Sequence, residues 1–300
     1  MQYTLRIRRL LLAYILLLPS VFAQTPTRSA DAYVADGVQA FKSGRYEAAA
    51  QFFRKALAIA PTEQTHLYLG VTYAYQVVPH VDTPENLKLA DEAVAQFDIV
   101  LRANPNAVIA IRQEASVYRI TGREQKAREL ERSAEPLDPA NPEIPYTIGV
   151  LDWVEAYRNT QLGLSSEGLM DNGVGNSKKS PELCAKLKTQ NTPLLDDAVA
   201  NLTRAVELDS SYEEAMTYLS LVYRGRANLH CSDPKAVTQD IVLADTWARK
   251  SMAARKSNQT SRQPRAAAAD PLLQPPITPP PPPLPPPPPV PVEPGPPPTR

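Results

Sequence analysis

The sequence is poor in histidine, cysteine and glycine. Its 300 residues include 3 histidines, 2 cysteines and 11 glycines. The histidines His66, His80 and His230 are scattered, without metal-ligand spacing and without a paired nucleophile. We therefore expect no catalytic centre, no metal site and no cofactor, and we predict that the protein is not an enzyme.

The chain also lacks an excess of charge of either sign. Lys and Arg together number 32 and balance 32 Asp and Glu, so the formal net charge is zero. Nucleic-acid binding depends on a long-range positive field, so nucleic acid is set aside as a partner. The alternating charges of residues 123–132 predict a solvated helix face instead.

Long hydrophobic runs are missing after the first residues, and no later segment is long enough to cross a bilayer. Residues 1–23 combine three early arginines, an apolar run at 10–18 and a small-residue pattern ending at Ala23. These features predict a secretory signal peptide. The alternative is an uncleaved anchor, although the apolar run is shorter than the roughly 20 residues of a membrane span. We expect an exported protein, periplasmic or secreted.

Small and aromatic residues recur through the middle of the chain. In the first copy, Ala49 and Ala56 would let two helices approach closely, Gly44 would turn the chain between them, and Pro61 would end the second helix. Tyr46 and Phe53 would fill the remaining space. A third copy is uninterrupted and ends at Pro139, 34 residues after Pro105.

This pattern resembles the tetratricopeptide repeat (TPR), whose period is 34 residues. The resemblance implies an all-α helix-turn-helix solenoid of about five irregular units over residues 29–257. Copies two, four and five carry insertions between their paired helices, which are expected to project as loops. Glu131 departs from the pattern, because a bulky residue is expected there. An insertion segment at residues 173–180 shares glycines and lysines with phosphate-binding loops but lacks the glycine before lysine, so we predict a mobile loop.

The resemblance also implies a binding surface, because the first helix of each pair lines the concave face of such a solenoid. Aromatic and cationic side chains there would suit an acidic or C-terminal peptide with apolar side chains. For Tyr146 and Trp153, the alternative is packing between neighbouring helices. The predicted concave residues are Phe41, Lys42, Tyr75, Arg112, Arg119, Tyr146, Trp153 and Arg224.

The two cysteines, Cys184 and Cys231, lie in the insertions of copies four and five. Since those copies are neighbours in the stack and export permits oxidation, we predict a disulfide between them. Two independent free thiols are the alternative.

More than half of the 32 prolines lie between Pro264 and Pro298. Residues 258–300 are therefore predicted to be a disordered, extended proline-rich tail. It could serve as a spacer or as a ligand for an aromatic-lined groove. These features predict a non-catalytic scaffold of the cell envelope that binds a protein or peptide. The alternative is an envelope assembly or energy-transduction accessory protein that uses the tail as a spacer.

Overall fold

A computed structural model describes residues 28–261, which form ten α-helices and one short 3-10 helix. The predicted signal peptide and most of the predicted proline-rich tail lie outside the described residues. The helices are α1 (Ala30–Lys42), α2 (Tyr46–Ile59), α3 (Glu63–Ala74), α4 (Pro84–Ala103), α5 (Val108–Ile120), α6 (Glu124–Ala134), α7 (Glu143–Ser166), α8 (Pro181–Leu208), α9 (Glu213–Ala227) and α10 (Pro234–Ser261). Glu135–Leu137 forms the 3-10 helix.

Local sequence signals set many of the helix boundaries. The hydroxyl of Ser29 accepts a hydrogen bond from the Ala32 amide and so caps α1, and three further helices begin with the same kind of cap. At the other end of α1, Gly44 has φ +70° and lets the Arg45 amide bond back to the Ala40 carbonyl. This left-handed turn favours glycine and directs the chain into α2.

The helices pack as five successive pairs, α1 with α2 through α9 with α10, and each pair contacts the next. First helices of neighbouring pairs also touch, α3 against α5 and α7 against α9. The predicted all-α helix-turn-helix solenoid of five units is therefore confirmed for the described chain. Ser29, where the repeat domain was expected to begin, is the cap of α1, and α10 continues to Ser261, past residue 257.

The two helices of a pair approach closely where the first helix carries a glycine. A β-carbon on Gly37 would lie 2.5 Å from the ring of Phe53, and one on Gly70 would lie 2.6 Å from the ring of Phe97. Both rings are fully buried. Glycine in the first helix therefore makes room for a large side chain from the second.

The apolar core is divided along the solenoid. One large cluster fills pairs one and two, and a second fills pairs four and five. From pair three, α5 and α6, only Val117 and Ile120 of α5 join the first large cluster, and the other buried apolar residues form small clusters around Ile111 and Tyr118. Three carboxylates, Glu114, Glu131 and Asp152, are buried in and beside this pair.

The insertion of copy four is mostly helical, which corrects the expectation of a projecting loop. It lengthens α7 to 24 residues and α8 to 28 residues, and only residues 167–180 connect them without helix. Leu183, Leu187 and Leu195 follow a helical spacing along α8 and are buried against the core. Burying this apolar stripe stabilises helix in a segment that was expected to be loop because it interrupts the repeat.

Candidate functional site

The first helix of pair three places two arginines on one face. Ile109, Arg112 and Arg119 are separated by multiples of three to four residues, so they share a stripe of α5. Arg112 Nε lies 3.3 Å from a carboxylate oxygen of Glu131. Arg119 donates to the Ser116 hydroxyl at 3.2 Å, and no carboxylate of residues 28–261 lies within 4.0 Å of its guanidinium. Arg119 is thus a half-buried cation without an ion pair in the described chain.

Glu131 reaches this stripe from α6 and is buried. It occupies the position at which pairs one and two place Phe53 and Phe97. Burial raises the pKa of Glu131 to about 7, although Arg112 and Arg119 act in the opposite direction. The residue that departed from the repeat pattern therefore contributes to the candidate site.

Two tyrosines continue the stripe toward the next pairs. The ring of Tyr146 on α7 lies 5.8 Å from that of Tyr218 on α9. Burial raises the pKa of both hydroxyls, and Arg119 interacts electrostatically with both. We call Arg112, Arg119, Tyr146 and Tyr218 the central strip. Its chemistry is two guanidinium groups beside two neutral phenols.

The predicted residues at the N-terminal end form an aromatic group. Phe41 lies 5.2 Å from Tyr46 and 4.9 Å from Tyr75, measured between ring centroids. Phe41 is buried by these contacts, Tyr75 is half-buried and Lys42 is exposed.

At the C-terminal end, the predicted residues are already engaged within the chain. Trp153 is buried, and its ring stacks on Tyr157 at 5.1 Å and meets Tyr218 edge-on at 5.3 Å, measured between ring centroids. Arg224 donates to the Gly173 carbonyl at 3.2 Å and to the Asp245 carboxylate at 2.7 Å. The packing alternative for Trp153 agrees with this placement.

Cys184 and Cys231 form a disulfide, with their Cα atoms 5.8 Å apart. Cys184 is buried on α8, whereas Cys231 is exposed in the connection between α9 and α10. The bond therefore joins pairs four and five, the neighbours in the stack from which the pairing was predicted.

The alternating charges of α6 predicted a solvated face, but one arginine of this helix turns inward. Arg128 Nε lies 2.7 Å from the carboxylate of Asp152, and Arg128 Nη2 donates to Glu155 at 2.6 Å. Burial raises the pKa of Asp152 to about 8, and its contact with Asp197 acts in the same direction. Arg132 pairs with Asp197. The inward turn of Arg128 has no signal in local sequence, because it depends on the packing of α7.

Residues 28–261 place no group of three or more His, Cys, Asp or Glu side chains where they could hold a metal ion. Within the same range, every helix is too short or too polar to cross a bilayer.

No model of a protein family matches the sequence, and no curated protein matches it. The crystal structure of MamA protein is 14% identical, has a TM-score of 0.50 and covers 79% of this chain and 98% of that chain. The MamA RS-1 ArsTM double mutant is 16% identical, with a TM-score of 0.50, and covers 77% and 97%. YrrB, a TPR protein with an unusual peptide-binding site, is 16% identical over 77% and 92%, with a TM-score of 0.46. The chain has a TPR-like fold.

Proposed function

We propose that this protein is a non-catalytic scaffold of the cell envelope that binds a segment of another protein on its concave face. The first helices of TPR-like pairs line that face, and solenoids of this kind use it to hold partners. The central strip lies on three consecutive first helices, α5, α7 and α9.

The observation that carries the proposal is the state of Arg119. Its guanidinium is largely shielded from solvent, which lowers the pKa of the side chain, yet the described chain gives it no ion pair. A shielded cation gains most from a carboxylate that arrives with a partner, because charge-assisted hydrogen bonds are strong where water is excluded. Tyr146 and Tyr218 add large contact area at low rotamer cost. An acidic segment with apolar side chains fits this chemistry.

Two features support the envelope as the location. The N-terminal residues carry the sequence pattern of a secretory signal, and the chain contains a disulfide between Cys184 and Cys231. Structural disulfides persist in oxidising compartments and are rare in the cytosol. Both features fit an exported protein.

The test is the double substitution Arg112→Ala and Arg119→Ala. Partners are first captured by cross-linking in the native cell, and their affinity for the purified full chain is then measured. We expect the double variant to bind at least about tenfold more weakly, because charged hydrogen bonds in shielded sites contribute roughly 1.5–3 kcal/mol each.

Arg204→Ala is the matched control, since Arg204 is an exposed arginine on α8, away from the first helices. It should leave binding unchanged. Far-UV circular dichroism must show equal helical content in both variants. Unchanged affinity in a folded double variant would remove the central strip from the binding surface.

A further inference from the structure

The connection between α7 and α8, residues 167–180, is a closed loop. The carboxylate of Glu167 accepts hydrogen bonds from both the amide and the hydroxyl of Ser180, so the two ends of the loop are fastened together. Within the loop, Asn176 is buried and donates from its side chain to the Met170 carbonyl at 2.9 Å. The expected mobile loop is therefore an internally bonded unit, which we call the closing loop.

The closing loop docks on the end of α9. Arg224 donates to its Gly173 carbonyl, and the Asn176 amide donates to the side-chain oxygen of the fully buried Asn228 at 3.2 Å. Asn228 in turn donates to Asp171 at 3.2 Å. Gly175 has φ +71°, and a β-carbon there would collide with the Ala227 carbonyl oxygen. The fit is close enough to require glycine at this contact.

Beneath the loop lie residues of the first helices α7 and α9. Asp171 and Gly173 of the loop share one small pocket with Trp153, Tyr157 and Arg224. The pocket has a volume of about 20 Å³, enough for one water molecule. Burial, and then the Asp171 carboxylate, raises the pKa of the Tyr157 hydroxyl. The loop thus occupies the C-terminal end of the surface on which pairs three, four and five present the central strip.

The disulfide ties together the two elements that hold this loop. Cys184 lies four residues after Ser180, where the loop ends. Cys231 lies three residues after Asn228, whose side chain hydrogen-bonds with the loop. Cys231 is exposed whereas Cys184 is buried, so a thiol would approach the bond from the side of Cys231.

We propose that the closing loop is a built-in occupant of the concave face, locked in place by the disulfide, and that its release uncovers a second part of the binding surface formed by Trp153, Tyr157 and Arg224. Release follows reduction by a dithiol. The dithiol supplies two electrons and two protons, the bond between the sulfurs breaks, Cys184 and Cys231 become thiols, and the dithiol becomes a disulfide. That the uncovered surface receives a partner rests on the function proposed above, whereas the opening itself does not.

The two tryptophans make the opening measurable. Trp247 lies on α10, so Trp247→Phe leaves Trp153, under the loop, as a single fluorescent reporter. In the full-length Trp247→Phe protein, acrylamide quenching of Trp153 is compared before and after reduction with dithiothreitol. We expect the quenching constant to rise about twofold or more on reduction, because local opening exposes a shielded side chain.

Three further variants of the reporter protein define the mechanism. Cys184→Ser with Cys231→Ser should show the high quenching without reductant and no further change with it. Asn228→Ala should raise quenching with the disulfide intact, because it removes two of the loop's contacts. Ser177→Ala, an exposed position on the same loop, should behave as the parent.

Equal helical content by circular dichroism separates opening from unfolding. Hydrogen exchange of the amides of residues 171–176 provides a second measurement and should accelerate about tenfold on reduction. Unchanged quenching and unchanged exchange in the reduced protein would overturn the proposal. Because neither measurement uses a partner, that result would leave the proposed function of the central strip untouched.

Discussion

At the scale of single residues, the repeat depends on one pair of complementary positions. Glycine in the first helix faces a large side chain in the second, as with Gly70 and Phe97. Pair three breaks this rule, because Ala115 and Glu131 take the two positions. The large side chain is thereby replaced by a carboxylate, and Arg112 turns toward it.

The close approach of a large side chain to a first-helix glycine predicts opposite effects on stability for two glycine-to-alanine substitutions. Gly70→Ala should destabilise the protein by about 1–3 kcal/mol, because the new β-carbon overlaps the buried Phe97 ring and the core cannot yield. Gly225→Ala is the control, since its β-carbon would lie 3.6 Å from Leu195, an ordinary contact. It should stabilise α9 by up to about 1 kcal/mol, because alanine is the better helix former. Urea unfolding measures both, and equal effects would contradict the role of Gly70.

The raised pKa of the buried Glu131 carboxyl should make the free energy of unfolding depend on pH. Its pKa is about 7 in the folded chain and 4.5 as a free side chain. Between these values the folded state holds a proton that the unfolded state has lost, so the free energy of unfolding should fall as pH rises from 5 to 8. Glu131→Gln should reduce this fall, because the amide does not titrate.

Glu129→Gln is the matched control for that experiment, since Glu129 is exposed on the same helix. It should keep the pH dependence of the parent chain. Chemical unfolding at pH 5 and pH 8 provides the comparison. Identical pH dependence in the parent and in Glu131→Gln would show that Glu131 does not hold the proton.

At the scale of helices, the unusual elements are α7 and α8, which extend beyond the length of a regular pair. Their extra turns are held by Leu183 and Leu187 against Gly163, where a β-carbon would lie 2.8 Å from Leu183. Asn191 is buried on α8 and donates to the Ala156 carbonyl at 3.0 Å and to the Thr160 hydroxyl at 3.1 Å. The extension is therefore packed as a core, with satisfied polar groups.

The disulfide should add to the stability of these elements. It closes a sequence separation of 47 residues, which restricts the unfolded chain. Replacing both Cys184 and Cys231 by serine should lower the free energy of unfolding by about 2–4 kcal/mol. Urea titration of the oxidised parent, the reduced parent and the double variant tests this. The last two should coincide, and a double variant as stable as the oxidised parent would refute the effect.

At the scale of the whole molecule, two apolar blocks are joined by a polar pair. Pairs one and two share one cluster and pairs four and five share another, whereas α5 and α6 bury Glu114 and Glu131 between them. Burial raises the pKa of Glu114 as well, to about 7. In a solenoid each unit is stabilised by its neighbours. Where consecutive pairs meet, the helices on either side of this joint, α4 with α5 and α6 with α7, pack less extensively than α2 with α3 and α8 with α9.

Native-state hydrogen exchange should reveal this joint. We expect the amides of α5 and α6 to exchange faster than those of α3, α4, α8 and α9, because fewer apolar contacts must break to open them. The terminal helices α1 and α10 fray independently and serve as an internal reference. If all ten helices exchanged with a single opening free energy, the division into two blocks would be wrong.

The sequence by itself determined the repeat, because glycine, alanine and proline act locally. Gly44 ends α1 in a left-handed turn, Ser29 caps the same helix, and small residues at Ala49 and Ala56 permit close approach. The pairing of Cys184 with Cys231 also followed from the repeat, since consecutive units of a solenoid are neighbours. In such a fold the helix pairs stack in the same order in which they occur along the chain.

Only the tertiary structure decided which predicted concave residues stay available. Arg119, a member of the central strip, has no ion pair in the described chain, whereas Arg224 binds the closing loop and Trp153 lies beneath that loop. The loop that covers them is distant in sequence from Arg224, which lies 51 residues after Gly173, and its close fit depends on Gly175 meeting the end of α9. Such contacts join segments that no local pattern relates, so the packing of the insertion, rather than the repeat, defines the limits of the surface.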